Sequence, residues 1–292
     1  MELSIAELGR TAWPIPRRRV DGERARVGIV VASFNTYALI AGLVFSLYRL
    51  LGRGEFSELV IVDNGSPNGS RELLSALERA GLITLILNRR HRYDGPALSQ
   101  GISWLARRQR VVVPRDQLDY VWLLDSDVIV LRPDTVRDAI TVLDRPDVAA
   151  VGESAFEPWH QCKLLELFSL MLDPGLIWRP PLPPLGEHGS PSAALQIAAR
   201  ASGLGLVGFP FVGERYLLHL GRGTLRETAN TADTANHYHD WATGHREYHY
   251  SGDPGGPELH EAFTALLVSE AGDLNPSALV DACRNPALLT LG

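Results

Sequence analysis

Between residues 27 and 130, four strand-like apolar runs alternate with three helix-like ones, and no other feature restricts the fold as much. RVGIVVASFN is β-branched and almost continuous, as a strand buried on both faces would be. TYALIAGLVFSLYRLLG follows with helical apolar spacing. ELVIVDNGS reads as a second strand closed by turn residues. SRELLSALERAG reads as a helix with Ser70 as N-cap and Gly81 as its stop. LITLILN is a third strand, GPALSQGISWLARR a helix, and DYVWLLDSDVIV a fourth strand. This succession predicts an α/β fold in which a mostly parallel, Rossmann-like sheet is flanked by helices. Ligands in such folds sit at the carboxyl ends of the strands.

Polar residues cluster at those ends: Asn35 after the first strand, Asp63 and Asn64 after the second, Asn88 after the third, Asp125 and Asp127 at the fourth. In the fourth, YVWLLDSDVIV sets two carboxylates into apolar surroundings, where desolvation penalises charge. A salt bridge, backbone amides or a bound cation could compensate them. On one regular strand the two side chains would point the same way and could share a hard divalent ion such as Mg²⁺ or Mn²⁺. The plainer reading is a pair of turn-capping acids.

Beyond residue 131 the alternation loosens. PDTVRDAITVLDR reads as a helix, DVAAVGE as a strand, RPPLPPLGEHGSP (179–191) as a proline-rich loop and SAALQIAARASG as a helix; LGLVGFPF and RYLLHLGRGT follow. The last ~65 residues begin polar and histidine-rich and end helix-like.

Taken in order, VGIVVASFNTYALIAGLVFSL, ELVIVDNGSPNGSRELL, NRRHRYDGPALSQGI and YVWLLDSDVIVLRPDTV resemble the nucleotide-binding half of family-2 glycosyltransferases of the GT-A fold. The resemblance implies an enzyme that uses a nucleoside diphosphate sugar, UDP-type favoured, with Mn²⁺ or Mg²⁺. It also divides its span into a nucleotide-sugar-binding half (27–130) and a less regular acceptor-side half of the same domain (131–225); residues 1–26, which carry little pattern, read as an arm, and 226–292 as a C-terminal extension. Ser33, Phe34 and Asn35 would then lie along the nucleoside, with Asn88 also on the donor side. Asp63 would accept a hydrogen bond from the base, commonly uracil, whose imide N–H is a donor. Asp125 would face the ribose or donor sugar, and Asp127 the metal. YLLHLGRGT is similar to the family's His-x-Gly-x-Gly-Ser/Thr segment, which implies His219 as a second metal ligand and Arg222 as a charge on the leaving diphosphate. Two positions depart from the pattern: Asn68 stands where Asp is frequent, and Ser99–Gln100–Gly101 replaces small–Asn–Gly.

The acids that usually precede the SAALQIAARASG helix in inverting members are replaced by Pro191–Ser192. Glu187, a few residues upstream, is the leading candidate for a catalytic base, with His188 and Asp173 behind it. GLGLVG (203–208) has the spacing of a dinucleotide fingerprint but lacks a strand before it and a helix after it. His237, His239, Asp240, His245 and His249 match no closed metal site, and a structured polar loop accounts for them more simply.

Composition narrows the alternatives. The net charge of −6 gives no global attraction to nucleic acid. Two distant cysteines suit a reducing cytoplasm rather than a disulfide scaffold. MELSIAELGR is not a secretory signal, and ALIAGLVFSLYRLLG is too short and too polar to span a bilayer, which leaves peripheral membrane attachment compatible. The acceptor stays open among sugar, natural product, lipid and protein, and a homo-oligomer is compatible with the pattern. Inversion is the favoured outcome. A retaining transferase, a sugar-1-phosphate nucleotidyltransferase and a non-catalytic nucleotide-sugar binder are the alternatives; ASFNTYA, where the nucleotidyltransferase would carry a basic glycine-rich loop, argues against the second.

Overall fold

The computed structural model describes residues 13, 24–113, 116–158, 160–178, 185–186, 190–221, 256–272 and 274–291. The four expected strands form one side of a seven-stranded sheet of order β3-β2-β1-β4-β7-β6-β8. They are β1 (Val27–Ser33), β2 (Glu58–Asp63), β3 (Thr84–Leu87) and β4 (Tyr120–Asp125), all mutually parallel. The other side comprises β6 (Val148–Glu157), β7 (Cys162–Leu172) and β8 (Gly205–Gly208). β6 and β8 are parallel, and β7 runs antiparallel between β4 and β6.

Sequence pattern assigns no element to residues 158–178, and this is where β7 lies. CKLLELFSLML is an apolar run whose periodicity fits a buried helix as well as a strand. The fourth strand also differs from expectation. It stops at Asp125, the chain turns through Ser126–Asp127, and β5 (Val128–Val130) leaves the sheet to pair antiparallel with β9 (Leu217–His219). Asp125 and Asp127 are therefore not alternate residues of one strand. Asp125 ends β4 and Asp127 begins the departure.

The helices cover both faces. On one lie α1 (Tyr37–Ser46, continued by a π-helical turn Leu47–Gly52), α2 (Ser70–Arg79) and α4 (Thr135–Leu143). The other carries α3 (Asp94–Gln109) and α6 (Ala193–Ala201). Ser70 is the first helical residue of α2 rather than its cap: Gly69 precedes it in the left-handed region, and the Ser70 N–H and hydroxyl turn to Asn68 Oδ1. Gly81, at φ 71°, ends that helix region as expected, because an L side chain there would be strained.

Gly101 lets α3 approach the sheet. A Cβ at this position would lie 2.4 Å from Val30 Cγ1 and 3.3 Å from Val62 Cγ2. Both neighbours are buried strand residues with little room to yield. Gly101→Ala should destabilise the protein by about 1–3 kcal/mol through overpacking, and a denaturation midpoint unchanged from wild type would contradict this contact.

Residues 256–291 close the same core. α7 (Gly256–Ala271) brings Phe263 and Leu267 against α1, and α8 (Pro276–Arg284) buries Leu279, Val280 and Cys283. Arg49, 1% exposed, binds this region from the π-helical turn by donating to Ala282 O, Ala287 O and Glu270 Oε2. No helix among the described residues is long and apolar enough to cross a membrane.

Candidate active site

The parallel strands β1, β2, β3 and β4 end on one edge of the sheet, which gathers their polar ends where the expected cleft lies. At its centre are Asp125, Asp127 and His219, whose ligand atoms all lie within 4.8 Å of one another. His219 Nε2 is 3.4 Å from Asp127 Oδ1 and 3.8 Å from Asp125 Oδ2. The β5–β9 pairing makes this possible, since its register sets His219 opposite Val128, next to Asp127. Leu220 N–H donates to Asp127 O and holds the turn. The ring of Phe168 stacks on His219 at 4.2 Å and 11° and fixes the imidazole plane.

Electrostatics mark this triad as incomplete by itself. Burial, then the charge of Asp127, push the Asp125 carboxyl up to about 7, although His219 pulls the other way. Yet 39% of its side chain reaches solvent, so the group lines a recess rather than a sealed core. For His219, burial alone would lower the pKa. The charge and hydrogen bond of Asp127, with Asp125 and Glu166, outweigh it and raise it. Asp94, at the start of α3, belongs to the same field: its carboxyl is raised by burial and then by Asp127. Converging carboxylates that resist ionisation, with an imidazole among them, are relieved by a divalent cation. The donor set, two carboxylates and a histidine, fits Mn²⁺ or Mg²⁺.

A second part of the cleft lies at the ends of β1 and β2. Asp63 is fully buried, and its Oδ2 accepts from Gly65 N, Ser66 N and Arg71 Nε, each at 3.2 Å. Its Oδ1 is buried without a hydrogen-bond partner, as is Asn35 Oδ1. Asn35 adopts φ 55° and donates its backbone N–H to Ser66 Oγ, which ties the first strand's turn to the second's. Buried acceptors are costly to leave unpaired, so these two atoms face a missing donor. Ser33 Oγ is paired with Thr36 Oγ1 at 2.9 Å. The Phe34 ring lies 4.4 Å from His91, which in turn meets Tyr93 edge-on at 5.2 Å, giving an aromatic wall. Asn88 is used structurally: its Nδ2 donates to Asn64 Oδ1 and its carbonyl accepts from Arg71.

The candidate bases fare differently. Glu187, His188 and Arg222, like His237, His239, Asp240, His245 and His249, lie outside the described residues. Asp173 is not brought to the cleft. Leu172 pairs with Val121, near the start of β4, so Asp173 sits at the opposite end of the sheet from Asp125. There its Oδ1 caps the short helix α5 (Pro174–Ile177) by accepting from Gly175 N and Leu176 N. Two acids that pattern did not single out, Asp94 and Glu166, do belong to the cleft's field. Asp94 had a local signal in its place at the head of the GPALSQGISWLARR helical pattern, whereas nothing local marks Glu166.

A profile of glycosyl transferase family 2 matches residues 28–172. No curated protein matches the chain. Among solved structures, similarity extends to the mannosyltransferase PcManGT from Pyrobaculum calidifontis in complex with GDP-Man and Mn²⁺, at 16% identity over 95% of this chain and 90% of that one, TM-score 0.49. TarS 1–349 of S. aureus is similar at 16% identity over 60% and 54% of the two chains, TM-score 0.42. M. tuberculosis glucosyl-3-phosphoglycerate synthase, in complex with Mn²⁺, UDP and glucosyl-3-phosphoglycerate, is similar at 19% identity over 60% and 62%, TM-score 0.38.

Proposed function

The chain belongs to glycosyl transferase family 2 through its residues 28–172 and is a glycosyltransferase, and from that premise we propose that it moves a sugar from a nucleoside diphosphate sugar, of the uridine type, to an acceptor hydroxyl with inversion, using Mn²⁺ or Mg²⁺. The convergence of Asp125, Asp127 and His219 at the carboxyl end of β4 carries this reading. Asp127 and His219 would hold the ion, with Asp125 turned to it or to the donor's ribose or sugar. When bound, the ion would neutralise charge on the departing diphosphate.

The chain's own groups account for the rest of donor recognition. Asp63 Oδ1, buried and unpartnered, supports recognition of a ring N–H such as the uracil imide. With three donors already on Oδ2, the carboxylate is held in place and cannot rotate away without losing them. Phe34 and His91 offer a face against which a nucleobase could stack. A thermal-shift series with UDP and GDP, with and without Mn²⁺, tests the reading. Stabilisation by nucleotide only when metal is present is expected, and no shift with either would overturn it.

Proton competition gives a second test. Asp125 is raised from 3.8 to about 7, so its protonated form favours the folded state. That contribution is complete below 3.8 and lost as the pH climbs through about 7. A cation needs the deprotonated form. Mn²⁺ should therefore raise the melting temperature more at about pH 8 than at about pH 6, and Asp125→Asn should flatten the difference. Equal stabilisation of the wild type at both pH values would contradict proton–metal competition at this carboxylate.

A further inference from the structure

An inverting transfer needs a group to take the acceptor's proton, and the acids expected ahead of α6 are Pro191 and Ser192 here. The antiparallel register of β7 against β4 points elsewhere. Leu172 pairs with Val121, Met171 with Trp122, Leu170 with Leu123 and Ser169 with Leu124. Moving back along β7 therefore climbs β4 toward its carboxyl end. Phe168 reaches the level of Asp125, where it stacks on His219, and Glu166 lies two residues further, beyond the end of β4. The same register that carries Asp173 away from the site carries Glu166 past the carboxyl end of β4, where its charge acts on Asp125 and His219. Between Gly152 and Ser154 the pairing of β6 with β7 slips, so residues 166–169 are released from regular partnering on that side.

The neighbouring acids are already engaged. Glu153 accepts from Val212 N at 2.9 Å, and Glu157 is hydrogen-bonded to Ser190 Oγ. Asp125 and Asp127 share the candidate metal position with His219. Among the described residues no hydrogen bond is donated to the Glu166 side chain, which is accessible to solvent. We propose that Glu166 is the catalytic base of the transfer, a role that rests on the glycosyltransferase reading above.

In this step the acceptor O–H gives its proton to a Glu166 carboxylate oxygen. The freed oxygen pair forms the bond to the anomeric carbon. The bond from that carbon to the phosphate oxygen breaks, and its electron pair leaves on the nucleoside diphosphate; Glu166 later releases the proton to water. Although its side chain reaches solvent, the protein packed around it partly desolvates the Glu166 carboxyl and raises it, His219 pulls it down, and Glu157 and Glu153 raise it further. A carboxylate raised in this way takes up a proton more readily than a free one.

The test uses the full chain with Mn²⁺ and three donors, UDP-glucose, UDP-N-acetylglucosamine and GDP-mannose, with water as acceptor. Wild type is expected to release nucleoside diphosphate from at least one. Glu166→Gln should lower that release by about 10²–10⁴-fold while leaving Mn²⁺-dependent UDP binding within about twofold of wild type. Azide attacks without needing a base, so it should restore diphosphate release in Glu166→Ala and yield a glycosyl azide of inverted configuration. Undiminished release by Glu166→Gln, or no azide rescue of Glu166→Ala, overturns the role of Glu166 alone. Failure of wild type to release diphosphate from any donor and to bind UDP with Mn²⁺ overturns the underlying reading and this proposal together.

Discussion

Asp127→Asn is expected to leave the protein folded and to cut nucleoside diphosphate release by about 10²–10³-fold, the scale of a lost electrostatic contact to a developing oxyanion. The substitution is nearly isosteric at a site where the side chain is only 6% exposed. Its backbone carbonyl still accepts from Leu220 N, so the turn out of β4 survives. What disappears is the charge facing His219 Nε2 at 3.4 Å. Asp127 also contributes most of the upward pull on the His219 pKa, so the imidazole should titrate lower in the variant. Steady-state release, Mn²⁺-dependent thermal shift and an NMR titration of His219 read the three consequences. Turnover within a few-fold of wild type, with the metal shift intact, would remove Asp127 from the site.

Arg49→Ala has the largest expected effect on stability. The guanidinium is buried and makes three charge-assisted hydrogen bonds at 2.9–3.1 Å, joining the π-helical turn to α7, α8 and the tail after it. Its own carbonyl accepts from Leu289 N at 2.7 Å, which fastens that tail from the other side. Removing the side chain takes a charged donor from two backbone carbonyls, of which Ala282 O keeps Asn285 N, and leaves Glu270 without its cation. Glu270 is 32% exposed, so water recovers part of that loss. A destabilisation of about 3 kcal/mol follows, at the lower end for a broken buried pair. Chemical denaturation measures it. A loss below about 1 kcal/mol would mean that Phe263, Leu267 and Leu279 hold the C-terminal helices by apolar packing alone.

How much could be read before folding depended on whether the signal was local. The β1, β2 and β3 strands and the helices α1, α2 and α3 follow from runs of β-branched residues and from helical apolar spacing. Each of these patterns is complete within a few turns of chain. The strand-end residues Asn35, Asp63, Asp125 and Asp127 were legible for the same reason: a polar residue closing an apolar strand stands out against its own neighbours. β7 was not legible, because CKLLELFSLML satisfies a buried helix and a buried strand equally. Nor was the break at Ser126–Asp127, since the apolar run resumes at once in Val128–Val130 and only pairing with β9 draws it out of the sheet.

The sequence by itself determined an α/β chain with parallel strands, a crevice at their carboxyl ends and the acids and histidine able to furnish it. Composition and short-range periodicity carry that information. Tertiary structure decided which of those groups meet. The β5–β9 register carries His219 to Asp127, and the direction of β7 takes Asp173 to the far end of the sheet while carrying Glu166 past the carboxyl end of β4. Strand direction and register arise from pairing between segments distant in the chain, and an apolar strand presents the same local pattern whichever partner it joins.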